Sequence, residues 1–140
     1  MRYMALFYAV FVPSICDPPL FFEELLNLLD KENPVVNKLI DLKDNLTMIR
    51  DAKKDKIAEI VKRLPSDIQN KYKAAVNEEK RKAKEKYEAN LDVTMKYGLH
   101  DLLIETEALK MNLAISDQEA DEFKKKAALE NNVSIEKTEL

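Results

Sequence analysis

A single glycine, Gly98, stands in 140 residues. Tight hairpins, glycine-rich phosphate loops and close βα turns all need residues free to take positive φ, and this chain has almost none to offer. What remains is a fold whose turns can be made by prolines, asparagines and serines, which means helices joined by capped loops. The 35% charged and 46% hydrophobic residues suit amphipathic helices with one wet and one dry face. A net charge of −3 gives no electrostatic match to nucleic acid.

The first sixteen residues, MRYMALFYAVFVPSIC, have the order of a secretory signal peptide. Arg2 supplies the positive start, and Ala5 to Val12 form an apolar run too short to span a bilayer as a helix. Small residues, Ser14 and Cys16, stand at −3 and −1 of a cleavage site before Asp17. Residues 1–16 are therefore expected to be a signal peptide, 17–130 a helical domain and 131–140 a disordered tail. Cleavage would remove the only cysteine and also Arg2, moving the net charge from −3 to −4. A secreted protein of this kind would rest on helix packing with no disulfide. No second long apolar run follows, so no membrane span is expected.

Along the remainder, apolar residues recur at helical spacing in six segments. The expected fold is all-α, a small bundle of five to six helices around one long charged central helix. A first helix starts at Asp17-Pro18-Pro19 and carries Leu20, Phe21, Leu25, Leu28 and Leu29. Asn33-Pro34 caps and opens a second, with Val35, Val36, Leu39, Ile40 and Leu42. Thr47 is expected to cap a third helix reaching Leu64, with Ile49, Ile57, Ile60, Val61 and Leu64 inward. Ser66-Asp67-Ile68-Gln69 has the form of a capping box for the long fourth helix, which closes at Gly98. A fifth helix runs from Leu99 to Asn112, and a second capping box, Ser116 to Glu119, opens a sixth carrying Ala120, Phe123 and Ala127. Asn45-Leu46-Thr47 and Ile115-Ser116 form a faint internal echo, each preceding a charged amphipathic helix, and it is too weak to count as a repeat. In the fourth helix, Glu78 to Lys86 holds only Ala83 as an apolar residue, and this stretch is expected to be the most exposed helical segment.

Signals for catalysis are weak. His100 is the only histidine, and no cysteine would survive maturation, so neither a histidine-activated nucleophile nor a multi-imidazole zinc site is suggested. The chain is expected not to be an enzyme and to need no cofactor. A calcium loop around a central glycine has no counterpart here. A looser site for magnesium or calcium, of weak affinity, is offered by Asp117, Glu119 and Asp121, or by Asp101 and Glu105 one helical turn apart. The competing reading of these carboxylates is an ordinary acidic first turn. Two sequons, at Asn45 and Asn132, become glycosylation sites if the chain is secreted. The ending Lys137-Thr138-Glu139-Leu140 resembles an ER-retention signal with Thr for Asp, which makes the ER lumen the alternative location.

Taken in order, the N-terminal segment, Asn45-Leu46-Thr47, Tyr72, the Lys/Glu-rich run from Asn77 to Glu88, the leucine-led helix from Leu99 to Leu109 and Asn112-Leu113-Ala114-Ile115-Ser116 resemble the SXP/RAL family of secreted nematode antigens. That family includes an Anisakis-type allergen and is described as a cation-binding domain. The chain departs from the pattern in lacking a Trp after Thr47 and in having Ile115 for the usual Leu. The resemblance implies an extracellular, all-helical, non-enzymatic protein that meets host or other extracellular proteins, and it alone implies cation binding. The second functional class is a carrier of small apolar ligands such as fatty acids, held between the leucine-rich first two helices and the fifth.

Overall fold

The computed structural model describes residues 19–130. The segment expected to be a signal peptide, the expected start of the first helix at Asp17-Pro18, the tail with Asn132 and the terminal KTEL lie outside the described residues. Six helices follow one another: α1 (Phe22–Leu26), α2 (Pro34–Asp44), α3 (Arg50–Lys62), α4 (Ser66–Lys96), α5 (His100–Met111) and α6 (Asp117–Glu130). The fold is an all-α bundle, and the sole extended pairing among the described residues is an isolated antiparallel bridge between Ile49 and Ser116. None of these helices is long and apolar enough to cross a membrane.

The start of α2 follows directly from its sequence. Asn33 accepts a 3.0 Å hydrogen bond from the Val35 amide through Oδ1, and Pro34 sits where its missing N–H costs nothing. The first helix is shorter than its leucine pattern suggests. Phe21 takes a left-handed conformation, φ 57°, and the helix closes by Leu26. Leu28 and Leu29 continue only as a turn.

The main core gathers Leu20, Phe22, Leu25 and Leu29 from the α1 region with Leu39 and Leu42 of α2 and Ile57 and Leu64 from α3 and its end. Leu25 and Leu39 are completely buried. Ile68 and Tyr72 of α4 pack against this cluster, so three helices meet the first part of the long one. At the other end α5 packs on α4 and α6 packs on α5. Leu102 and Leu103 are buried there, as are Thr94, Thr106 and Ala120. The two buried threonines return their hydroxyls to main-chain carbonyls of their own helices, Thr94 to Asn90 and Leu91, Thr106 to Leu103.

Between these ends, residues 80–86 of α4 are all exposed. Their charges pair along the helix, Arg81 with Glu78 and Glu85, and Lys82 with Glu79. With 31 residues at 1.5 Å rise each, α4 is about 46 Å long, enough to carry one packed group at each end. Gly98 ends it with φ 69°, the conformation that only glycine takes without strain.

Three local expectations need correction. Thr47 does not cap α3; it lies in the loop before it, where its amide and hydroxyl donate to Asn45 Oδ1. Ser66 and Gln69 form no capping box. The Gln69 amide instead donates to the Leu64 and Lys62 carbonyls at the end of α3, satisfying groups that α3 leaves open. Ile49, expected inward, is about half exposed at 48%, and Phe123 of the sixth helix is exposed at 52%.

Candidate functional site

What fills the place expected for Ile49 is charge. Arg50 and Lys53 are among the most buried side chains, 1% and 0% exposed. Both lie on the face of α3 that continues through Ile57 and Leu64, positions spaced at i, i+3, i+7 and i+14. Traced back toward the helix start, the apolar stripe therefore runs into two cations.

Their partner is Asp117, at the first turn of α6. Arg50 Nε donates to Asp117 Oδ1 at 2.9 Å, and Lys53 Nζ donates to Oδ2 at 2.7 Å. Arg50 Nη1 also donates to the Leu109 carbonyl at 3.0 Å and the Asn112 carbonyl at 3.3 Å. Lys53 Nζ reaches the Lys43 carbonyl at 3.2 Å. Two positive charges thus face one carboxylate and the C-terminal ends of α2 and α5. Each of these helix ends carries about half a negative charge and so offsets part of the two positive charges.

The backbone around this cluster is built twice. The α2–α3 and α5–α6 loops each span five residues, Asn45 to Ile49 and Asn112 to Ser116. A shift of 67 places Asn45 on Asn112, Ile49 on Ser116 and Arg50 on Asp117. Asn45 and Asn112 share one backbone conformation, φ/ψ of −73°/102° and −76°/104°. Each uses Oδ1 to accept the amide two residues on. The Asp51 amide donates to the Leu113 carbonyl at 2.8 Å, and the equivalent Gln118 amide donates to the Leu46 carbonyl at 3.0 Å. With the Arg50 amide donating to the Ile115 carbonyl, the opposite loop caps α3. That supplies what Thr47 was expected to give. The faint sequence echo is thus a pseudo-twofold pairing of two helix–loop–helix units.

Above the loop pair opens a cleft of about 960 Å³. Its walls include Phe21, Phe22 and Leu46 on one side, Met111 on another, and Ala83 and Tyr87 of α4 across the top. Arg50 and Asp117 reach its floor. Leu46 and Met111 are exposed, at 61% and 59%. Lys80 lies over the Phe21 ring, 5.8 Å from its centroid, and ties α4 to the start of α1. None of the leucines of the first two helices or the fifth lines this cleft, so it is not the cavity expected between their apolar faces; Leu20, Leu25, Leu29, Leu39 and Leu42 form the core instead.

The structure gives Asp117, Glu119 and Asp121 separate partners. Asp117 is taken by Arg50 and Lys53. Glu119 completes the expected capping box, accepting from the Ser116 amide at 2.8 Å while its own amide donates to Ser116 Oγ at 3.2 Å. The Ser116 backbone bond holds its carboxyl below the usual range. Asp121 pairs with Lys125 at 2.9 Å. Asp101 and Glu105 both point to solvent on α5. Among the described residues no three Asp, Glu, His or Cys side chains are gathered to hold a metal ion. Asn45, the described sequon, is half buried, and its Oδ1 accepts from Thr47 and Met48. His100 is not a wall of the cleft; its Nδ1 is buried without a hydrogen-bond partner.

Arg50 and Lys53 were not legible as site residues from periodicity, which favours apolar positions. The signals that point to them are the continuation of the α3 stripe and the alignment of Arg50 with Asp117 in the echo. Neither a family model, nor a curated protein, nor a solved structure matches the chain.

Proposed function

We propose that this chain is a non-enzymatic extracellular binding protein whose site is the cleft beneath α4, and that its ligand is a small elongated amphiphile such as a fatty acid. One observation carries the reading: a cleft of about 960 Å³ in which Phe21, Leu46, Ala83, Tyr87 and Met111 stand among charged residues of both signs, Glu23, Glu79, Lys80 and Lys110 among them. That volume falls within the roughly 300–1,000 Å³ of small-molecule sites, which are mostly apolar with a few polar groups. The left-handed Phe21 adds support. A non-glycine residue at φ 57° costs on the order of 1–3 kcal/mol, and such strain tends to collect where side chains meet ligands. Lys80 and Lys84 on the α4 wall and Lys110 on α5 stand among carboxylates such as Glu79 and Glu107, and an anionic head group would pair with these lysines.

A fluorescent fatty-acid titration tests this. Saturable binding at micromolar concentration, displaced by unlabelled oleate and weakened by Leu46→Glu, is the expected result. Absence of saturable binding would refute it. A second reading is favoured by the seven consecutive exposed residues 80–86. There the charged middle of α4 is a surface for host or other extracellular proteins, as the SXP/RAL resemblance implies. Secretion belongs to both readings and rests on the N-terminal sixteen residues. N-terminal sequencing of secreted material should begin at Asp17, and an intact Met1 would exclude this route.

A further inference from the structure

The SXP/RAL resemblance implies a bound cation, and the paired loops are where oxygens converge. The residues do not fit one. The Leu109 and Asn112 carbonyls and Asp117 Oδ1 all accept from Arg50, while Lys43 O and Asp117 Oδ2 accept from Lys53. Main-chain carbonyls with a carboxylate are the donor set that a hard divalent cation takes. Here every one of these oxygens faces a nitrogen.

We propose that Arg50 and Lys53 are the resident cations of this loop pair, so that the protein's own side chains supply the charge a divalent metal would otherwise bring. Three features of the geometry agree. The positive charge is supplied by side chains, since two cations meet one carboxylate and two helix C-termini. The space is allotted unequally between otherwise matched units: Lys53, fully buried, corresponds to Ala120, which is 4% exposed and leaves room. The loops are five residues long and contain no glycine, whereas a calcium loop of the helix–loop–helix type needs twelve residues and a glycine at its sharp turn. The loops therefore close without metal, through paired main-chain bonds and the Arg50–Asp117–Lys53 cluster.

The test is denaturant unfolding of the purified protein with EDTA, then with 10 mM calcium or magnesium. Wild-type protein should unfold at the same midpoint in all three. Replacing both cations, Arg50→Met with Lys53→Met, leaves the oxygens unmatched and should give a less stable protein that responds to calcium. A created site with Kd about 1 mM would raise its folding equilibrium constant about elevenfold at about 10 mM calcium. Should the double variant fail to fold, Lys53→Met alone serves, with a smaller gain of the same sign. A wild-type midpoint that rises with calcium or falls with EDTA would overturn the proposal. So would a folded variant, stripped of these cations, that calcium leaves unchanged.

Discussion

Replacing Asp117 by alanine removes the one carboxylate that two buried cations share. Arg50 and Lys53 are 1% and 0% exposed, so their charges stay buried when the carboxylate is removed, although Asp117 itself is 19% exposed. The Leu109, Asn112 and Lys43 carbonyls would remain, but they are neutral acceptors. Breaking a buried ion pair by deleting one partner typically costs about 3–5 kcal/mol, because the other charge stays buried and uncompensated. A domain of this size has only about 5–15 kcal/mol in total. With a urea m-value of about 1.5 kcal/mol/M, the midpoint should fall by about 2–3 M. Asp117→Asn keeps the shape and one acceptor oxygen, and it should lose less. Lys53→Met should cost least of the three, since Asp117 keeps Arg50 and the methionine stem can fill the space. The internal control is Arg81→Ala, which breaks solvent-exposed pairs with Glu78 and Glu85 on α4 and should leave the midpoint unmoved. The assay is urea unfolding followed by circular dichroism at 222 nm. A loss below about 1 kcal/mol for Asp117→Ala would place the cluster with ordinary surface pairs and refute its structural role.

Leu39→Ala should cost about 2–5 kcal/mol in the same assay, since Leu39 is completely buried in the core that joins α1, α2 and α3. Gly98→Ala should cost about 1 kcal/mol through backbone strain alone, because a Cβ there meets nothing within 4 Å while φ is +69°. Burial, with a smaller contribution from Glu24, pushes the Tyr72 phenol up to about 12 from 10.0. Because the folded state holds this proton more tightly, its stabilising contribution is whole below pH 10 and declines as pH rises toward about 12. Absorbance titration at 295 nm should show a late-ionising tyrosine that Tyr72→Phe removes. Amides of Glu78 to Lys86 should exchange faster than those near Tyr72 and Tyr87; uniform protection along α4 would show that its charged middle is covered.

Helix content and order were readable because they depend on local rules. The Asn33-Pro34 start, the Ser116–Glu119 capping box and the Gly98 stop each use one or two residues whose partners lie within four positions. The sequence pattern misled where a partner comes from far along the chain. Thr47 has the right chemistry for an N-cap, yet the α3 amides find the Leu113 and Ile115 carbonyls, more than sixty residues away. Ile49 has the right hydrophobicity for the core, yet it lies in the bridge opposite Ser116 and faces outward. Arg50 and Lys53 have the wrong hydrophobicity for burial, and only an acceptor at position 117 makes their burial tolerable. The cleft was not legible, because its apolar walls come from residues scattered from Phe21 to Met111 that no local periodicity connects.

The mutual dependence of the two paired units explains why the long helix has so thin an apolar stripe. Neither helix–loop–helix unit can complete itself: the first amides of α3 and α6 need carbonyls from the opposite loop, and the cations of one unit need the carboxylate of the other. The two units must therefore meet face to face, although 67 residues separate their equivalent positions. The connector has to reach from the end of α3 to the start of α5 and hold the units at that distance, and a 31-residue helix does so. Its ends require apolar anchors, supplied by Ile68 and Tyr72 at one end and the buried Thr94 region at the other. Its middle touches the rest of the fold through the Lys80 contact with the Phe21 ring and is otherwise exposed, so charge at nearly every position there is compatible with the fold and keeps the span solvated. The same geometry leaves space between the span and the paired loops. The cleft is thus a consequence of joining two mutually dependent units by one straight helix, and its floor is the ion cluster that makes them dependent.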